Sequence, residues 1–318
     1  MEKSTILGNS TLKVNRIGLG CMGMSEFYGS FDESDSINTL HKAIDLGVNF
    51  FDTADMYGWG ANEKLIGKAF KGKWNEVVLA TKFAVMRGPN GEWLGLNGQP
   101  DYIRKACDQS LLNLGTDVID LYYMHRQAPD VEIEVIVGTM AELVKQGKVK
   151  SIGLSEVGAE TIRRAHKVHP ITAIQSEYSL WSREPEQEVL EVCKELNITF
   201  VSYSPLGRGF LTGAYKSRED FEAGDFRLNN PRFTDEAIKE NIRYVEVIDQ
   251  LAKDKGVTNA QIALAWILSQ NNEITTIPGT KKIHRLEENL GAYQVALTQE
   301  DMELIENNIP KETRGSRY

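Results

Sequence analysis

Asn49-Phe-Phe-Asp-Thr-Ala-Asp-Met-Tyr57 begins apolar and ends polar. Asn49, Phe50 and Phe51 read as the buried interior of a strand. Asp52, Asp55 and Tyr57 then crowd its end. Gly58 and Gly60 break the chain, and Asn62 is placed to cap the helix that follows. A strand that delivers a carboxylate and a phenol to its C-terminal end is how a β/α barrel contributes one spoke of an active site.

The same unit recurs on both sides of this stretch. Upstream, residues 4–14 read as a hairpin turning at Gly8-Asn9. A first barrel strand over 16–20 follows, then a glycine-spaced loop and a helix over 32–46 that stops at Gly47. Downstream, helices over 62–70, 101–114, 134–146, 159–167 and 186–196 precede strands over 77–82, 118–125, 150–154, 173–176 and 199–202, respectively. An insertion over 206–230, rich in Gly, Phe and Arg, leads to helices over 235–255 and 259–269. A last strand over 274–277 and helices over 284–290 and 299–308 complete the pattern.

Alternating strands and helices predict a parallel sheet. Eight units without a reversal or a linker favour an α/β fold of the closed (β/α)8 TIM-barrel kind. The expected architecture is one domain over 1–318, with an N-terminal β-hairpin and extra helices near the C-terminus.

Composition narrows the partners. With 36 basic against 45 acidic residues the formal charge is −9, and no basic stripe stands out, so nucleic acid is not an expected partner. No apolar run approaches the ~20 residues that span a bilayer, and the N-terminus lacks the apolar core of a signal peptide. Cys21, Cys107 and Cys193 are an odd, unpatterned set. They predict a reducing, cytoplasmic setting and no disulfide framework. No metal site is expected, and a monomer is the default.

Four strand ends carry ionisable or turn-forming groups: Asp52 and Tyr57, then Lys82, then His125, and finally Pro278-Gly279-Thr280. A lone phenol titrates near pH 10 and is a poor proton donor at neutrality; an adjacent ammonium favours its phenolate. A lysine in a barrel mouth needs a counter-charge, which Asp52 supplies. A neutral histidine can donate to a substrate oxygen. Together the set suits protonating a carbonyl oxygen. No serine or cysteine stands beside a base, so nucleophilic hydrolysis is not expected. Taken singly, each group also has a structural reading: Asp52 capping amides, Tyr57 packing, Lys82 a surface cation, His125 a satisfied core histidine.

These motifs resemble those of the aldo-keto reductases. The carriers are Phe51-Asp52-Thr53-Ala54-Asp55-Met56-Tyr57-Gly58 with Glu63 and Gly67, Ala80-Thr81-Lys82, and Asp120-Leu121-Tyr122-Tyr123-Met124-His125. Further matches are Gly153-Leu154-Ser155, Gln175-Ser176-Glu177-Tyr178, Tyr203-Ser204-Pro205-Leu206-Gly207, and Ile277-Pro278-Gly279-Thr280 with Glu287-Glu288-Asn289. The likeness runs from Gly18 to Asn289 and is greatest to the perakine-reductase-like and auxin-induced-protein-like branch.

The resemblance implies a barrel that binds NADPH or NADP+ and reduces a small-molecule aldehyde or ketone. By position, it makes Tyr57 the proton donor, with its pKa lowered by Lys82 paired to Asp52, and His125 the group that orients the carbonyl. It implies that Ser155 and Gln175 hold the nicotinamide carboxamide and that Tyr203 stacks on the ring. Ser204, Leu206 and Gly207 would line the pyrophosphate path. Gly279, Thr280, Lys281, Arg285, Glu288 and Asn289 would surround the adenosine end.

A helix start beside Lys281, Lys282 and Arg285 favours a 2′-phosphate, hence NADPH over NADH. Two positions depart from the family pattern. Glu156 stands where many members have asparagine, and a carboxylate cannot donate as an amide does. Gly279 stands where many have lysine. Apolar groups at the loop starts, including Met22, Phe27, Trp59, Phe83 and Trp181, predict an aromatic rim for bulky carbonyl substrates. The 206–230 insertion is a candidate lid. Two other readings stay open: a regulatory NADP(H)-binding module like the potassium-channel β-subunits, and an imine-forming barrel using Lys82. The second is weakened by the charge that Asp52 would hold on Lys82.

Overall fold

The computed structural model describes residues 2–88, 90–271, 273–310 and 312–317. Strands β1 (Ser4–Ile6) and β2 (Lys13–Asn15) form the expected antiparallel hairpin. It closes the bottom of the barrel. Leu7, Leu12 and Val14 pack with Phe50, Val78, Leu121, Ala173 and Val201, which point inward from the strands. Each fully buried aliphatic side chain there is worth about 1.5–3 kcal/mol.

The chain then alternates. In order come β3 (Leu19–Gly20), α1 (Glu33–Asp45), β4 (Phe50–Asp52), α2 (Ala61–Phe70) and β5 (Val78–Phe83). A second hairpin, β6 (Val85–Arg87) and β7 (Trp93–Leu96), precedes α3 (Pro100–Leu114). Next are β8 (Ile119–Met124), α4 (Ile133–Lys145), β9 (Val149–Ser155), α5 (Ala159–Val168), β10 (Ala173–Glu177), α6 (Val189–Glu195) and β11 (Thr199–Tyr203). The last elements are α7 (Asp235–Lys255), α8 (Asn259–Gln270), β12 (Ile274–Thr276), α9 (Ile283–Leu290) and α10 (Gln299–Asn308).

Eight of the strands form one sheet in the order β3-β4-β5-β8-β9-β10-β11-β12, with parallel pairing throughout. Its two edges meet. Parallel bridges join Ile17 to Thr276 and Gly20 to Gly279, and Gly18 N–H donates to Thr276 O at 2.8 Å. Closure removes the sheet edges and leaves one mouth at the strands' C-terminal ends. Inside, Gly153 is required by close approach: a Cβ there would lie 2.4 Å from Cε1 of Tyr123, whose ring fills the barrel.

Boundaries fall where the sequence carries caps. Asp32 accepts from Asp35 N–H at the start of α1, and Thr258 with Gln261 and Thr298 with Asp301 make capping boxes for α8 and α10. Two local features depart from expectation. The β6–β7 hairpin is absent from the alternation, because Phe83, Ala84, Val85 and Met86 continue the apolar run of β5 and nothing in that run marks the start of a new strand. The expectation that no Gly-x-Gly-x-x-Gly follows a strand, which counted against an open dinucleotide-binding sheet, is corrected: Gly18, Gly20 and Gly23 have that spacing. They lie in and after β3, where Cβ atoms on Gly18 and Gly20 would each come within 2.8 Å of a carbonyl oxygen across the sheet, so close strand packing accounts for the first two.

The connection from β11 to α7 is a chain of short 3-10 turns. Phe226 N–H donates to Phe27 O at 3.3 Å, and the two rings meet edge-on at 5.7 Å. The Arg227 guanidinium lies 5.2 Å from the Tyr28 ring and is paired with Asp225 at 2.7 Å. Since β12 lies between β11 and β3 around the barrel, this segment crosses the mouth above β12.

Candidate active site

Asp52 ends β4 and Lys82 lies on β5, its neighbour. Lys82 Nζ is ion-paired to Asp52 Oδ1 and also donates to Thr53 O at 2.7 Å. The second Asp52 oxygen accepts from Gln175 Nε2 at 2.7 Å. Burial pushes the Lys82 ammonium down and the Asp52 carboxyl up, and each partner's charge opposes that shift. With both carboxylate oxygens and the ammonium hydrogen-bonded, the pair meets the condition under which buried charges are tolerated.

Tyr57 sits above this pair. The Lys82 ammonium is 5.3 Å from the Tyr57 ring centroid, and the His125 ring meets Tyr57 edge-on at 5.9 Å. The loop that aims Tyr57 turns through three successive left-handed residues, Gly58, Trp59 and Gly60. Two glycines make that reversal cheap. Burial first, then the charges of Lys82 and Arg126, hold the His125 imidazole well below its usual value. It is therefore neutral at pH 7. Its Nδ1 is buried without a hydrogen-bond partner among the described residues.

Asn62 does not cap α2, whose N-cap is Gly60. It is buried instead, accepting from Thr53 Oγ1 at 2.6 Å and donating to Cys21 O and Ser25 Oγ at 2.9 Å. Asn62 thus ties the loops after β3 and β4 together. Asp55 N–H donates to Lys82 O at 3.1 Å, while its carboxyl is pushed well up by burial and by Glu63. Glu63 accepts from Thr81 Oγ1 at 2.7 Å and from Asn113 Nδ2 at 2.9 Å, pinning β5 and α3 to α2.

Ser155 and Tyr203 end β9 and β11, and Gln175 lies in the middle of β10 between them. Ser155 Oγ accepts from Arg126 at 3.2 Å. Gln175 faces inward to Asp52, so its Nε2 is committed there. Glu156 follows Ser155 with a left-handed backbone, φ 54°, and accepts from Glu177 N–H at 2.9 Å. Next to it Glu177, 2% exposed, takes Arg208 and Arg232 at 3.2 Å each and Ser182 Oγ at 2.7 Å. This charged cluster had no local signal in the sequence.

Past β11, Ser204, Gly207 and Arg208 also have positive φ, which folds the loop back beside Leu206. Across from it, Gly279 and Thr280 lead into α9, whose N-cap Lys282 gives no side-chain cap. Lys281 Nζ donates to Tyr28 O at 2.6 Å and to Ser30 O, so it also anchors the loop after β3. Arg285 is exposed on the first turn of α9, Glu288 is half-buried, and Asn289 is buried. An eight-residue helix with no side-chain cap, next to Lys281, Lys282 and Arg285, fits an anionic phosphate. The neutral histidine and the Tyr57–Lys82 arrangement fit a carbonyl compound at the other end of the mouth.

The sequence matches the Aldo/keto reductase family model over residues 16–309. It is 48% identical to the aldo-keto reductase yakc, NADP(+), of Schizosaccharomyces pombe, over 98% of this chain and 93% of that protein. Among solved structures, a glycerol dehydrogenase from Gluconobacter oxydans is similar with a TM-score of 0.87 at 25% identity, covering 99% of this chain and 98% of that one. An aldo/keto reductase from Klebsiella pneumoniae in complex with NADP and acetate is similar with a TM-score of 0.77 at 25% identity, covering 100% and 99%. The closed barrel, the residues at its mouth and these likenesses agree: this chain belongs to the aldo/keto reductase family.

Proposed function

We propose that the protein reduces aldehydes or ketones to alcohols with NADPH, reversibly, within one barrel domain over 1–318. The observation that carries this reading is the Asp52–Lys82 pair beneath Tyr57, with a neutral His125 against the same ring. NADPH, when bound, supplies a hydride equivalent to the carbonyl carbon. Tyr57 gives its phenolic proton to the carbonyl oxygen. The Lys82 ammonium stabilises the phenolate left behind, and Asp52 keeps that ammonium charged. Neutral His125 donates to the carbonyl oxygen and fixes its direction.

Ser155, Gln175 through its Oε1, and Tyr203 would hold the nicotinamide end. Ser204, Leu206 and Gly207 would flank the pyrophosphate. Gly279, Thr280, Lys281, Arg285, Glu288 and Asn289 would surround the adenosine end. The cations at the start of α9 support NADPH over NADH, and the Schizosaccharomyces pombe relative carries NADP(+) in its name. The mouth segment crossing β12 would lie over the pyrophosphate. A cytoplasmic setting accompanies this reading, supported by three sparse, unpaired cysteines, and a monomer is its default. No described helix is long and apolar enough to cross a membrane. The test is loss of NADPH absorbance across a panel of aromatic and bulky carbonyl compounds. Turnover with NADPH and far weaker turnover with NADH is expected. Tight NADPH binding without turnover on any carbonyl would contradict the reading.

A further inference from the structure

The charged cluster at the ends of β9 and β10 reaches a segment that the proposed chemistry does not use, Thr313–Arg317. This segment lies across the mouth. Thr313 Oγ1 donates to Trp181 O at 2.9 Å, and Arg314 exchanges two hydrogen bonds with the Asn241 side chain at 2.9 and 3.0 Å. Gly315 O accepts from Arg232 Nε at 3.3 Å. A Cβ on Gly315, where φ is +89°, would come within 2.6 Å of Pro231 O, so the segment lies flat against the 230–232 turn.

Arg317 joins two sides of the mouth. Its guanidinium makes a two-pronged pair with Glu156, at 3.2 and 3.0 Å. Its carbonyl oxygen accepts from Asn230 Nδ2 at 2.6 Å and from Arg208 at 3.2 Å. Glu156 directly follows Ser155 on β9. Asn230 and Arg208 belong to the segment that crosses the mouth above β12. A fork-to-fork arginine–carboxylate pair fixes direction as well as distance, which a lysine cannot reproduce.

We propose that Arg317 is a positioning residue that latches the 206–233 segment to the end of β9 and thereby sets how fast the dinucleotide leaves the mouth. This rests on the assignment of that mouth to NADPH. The strained backbone of Glu156 belongs to the same device: a non-glycine residue persists in the left-handed region only where its surroundings fix it. Here the surroundings are Glu177 N–H on one oxygen and Arg317 on both.

The experiment is stopped-flow NADPH release from wild type, Arg317→Ala, Arg317→Lys, Glu156→Gln and the Arg317→Ala/Glu156→Gln double variant. Alongside it runs limited proteolysis of the 206–233 segment without nucleotide. Release about tenfold faster is expected for each of Arg317→Ala and Glu156→Gln, since changes at one interface act mainly on dissociation. The double variant should be no faster than either single, because the two side chains act through one contact. Arg317→Lys should resemble Arg317→Ala, and both should be cut sooner in 206–233. The pH profile of single-turnover reduction should keep its shape. Wild-type release and wild-type cleavage in the variants, or additive effects in the double, overturn the latch while leaving the reductase reading in place. A lowered unfolding midpoint with unchanged release marks a purely structural contact and also overturns it. Wild type that binds no NADPH overturns the cofactor assignment and the latch together.

Discussion

At the ends of β4, β5 and β8 a buried carboxylate and a buried ammonium come from neighbouring strands. At the ends of β9, β10 and β11 two carboxylates are shared among arginines that arrive from distant loops. In the first region the barrel backbone does the positioning: Asp52 sits opposite Ala80, and Lys82 opposite Tyr123, in the parallel ladder. In the second, Glu177 depends on Arg208 and Arg232, and Glu156 on Arg317, 161 residues away. The first arrangement is complete once the strands pair. The second is complete only when the outer segments have docked. On the function proposed above, chemistry that needs fixed geometry belongs to the first, and exchange of a bound molecule to the second.

The largest effect expected is that of Lys82→Met. It leaves Asp52 buried without its cation, and loss of one member of a buried pair costs about 3–5 kcal/mol. Urea unfolding should show that loss, and reduction should fall by at least ~10²-fold. A small stability change would mean that Asp52 and Lys82 are not the fixed element described here. Glu177→Gln comes next. Arg208 and Arg232 would lose their shared carboxylate, at a cost of about 1.5–3 kcal/mol by urea unfolding, with NADPH binding weakened and the single-turnover rate retained. A collapse of that rate would erase the distinction between the two regions.

Arg317→Ala should cost less, about 1 kcal/mol or below. The pair is partly exposed, with 25% of the Arg317 and 15% of the Glu156 side chain accessible, and solvent screens it. A cost equal to that of Lys82→Met would place the latch among the fixed elements.

The smallest effect concerns pH. His125 has a folded pKa well below the ordinary 6.5. The neutral ring therefore contributes stability above pH 6.5, and this is lost as pH falls through the depressed value. Wild type should lose more stability on acidification than His125→Gln, measured by urea midpoints across that range. The rate profile should have no break near pH 6.5 from His125. A break there that vanishes in His125→Gln would show a ring that ionises in the mouth.

What the sequence conveyed follows the same division. Asp52, Lys82 and His125 each end an apolar run, so alternation alone places them at one mouth, and the cap residues of α1, α8 and α10 fix helix starts locally. The roles of Glu156, Glu177 and Asn62 depend on partners from other elements. Asn62 has the residue type of a cap but bonds to Thr53, Cys21 and Ser25. Gln175 reads as a polar strand end, yet only the closed barrel brings its amide to Asp52, 123 residues earlier. Lys281 reads as a phosphate ligand by charge, but its additional hold on the loop after β3 depends on barrel closure. Arg317 follows a stretch with no periodic pattern, and nothing near it in sequence names Glu156.

Tyr57 as proton donor, supported by the Asp52–Lys82 pair, is the core of the proposed chemistry. Its most direct measurement compares single-turnover reduction of an aromatic aldehyde by wild type and Tyr57→Phe, each with NADPH already bound. Unchanged NADPH affinity, an unchanged unfolding midpoint and a rate lower by ~10²–10⁴-fold are expected for Tyr57→Phe. A Tyr57→Phe variant that binds NADPH and reduces the aldehyde at the wild-type rate would contradict that role for Tyr57.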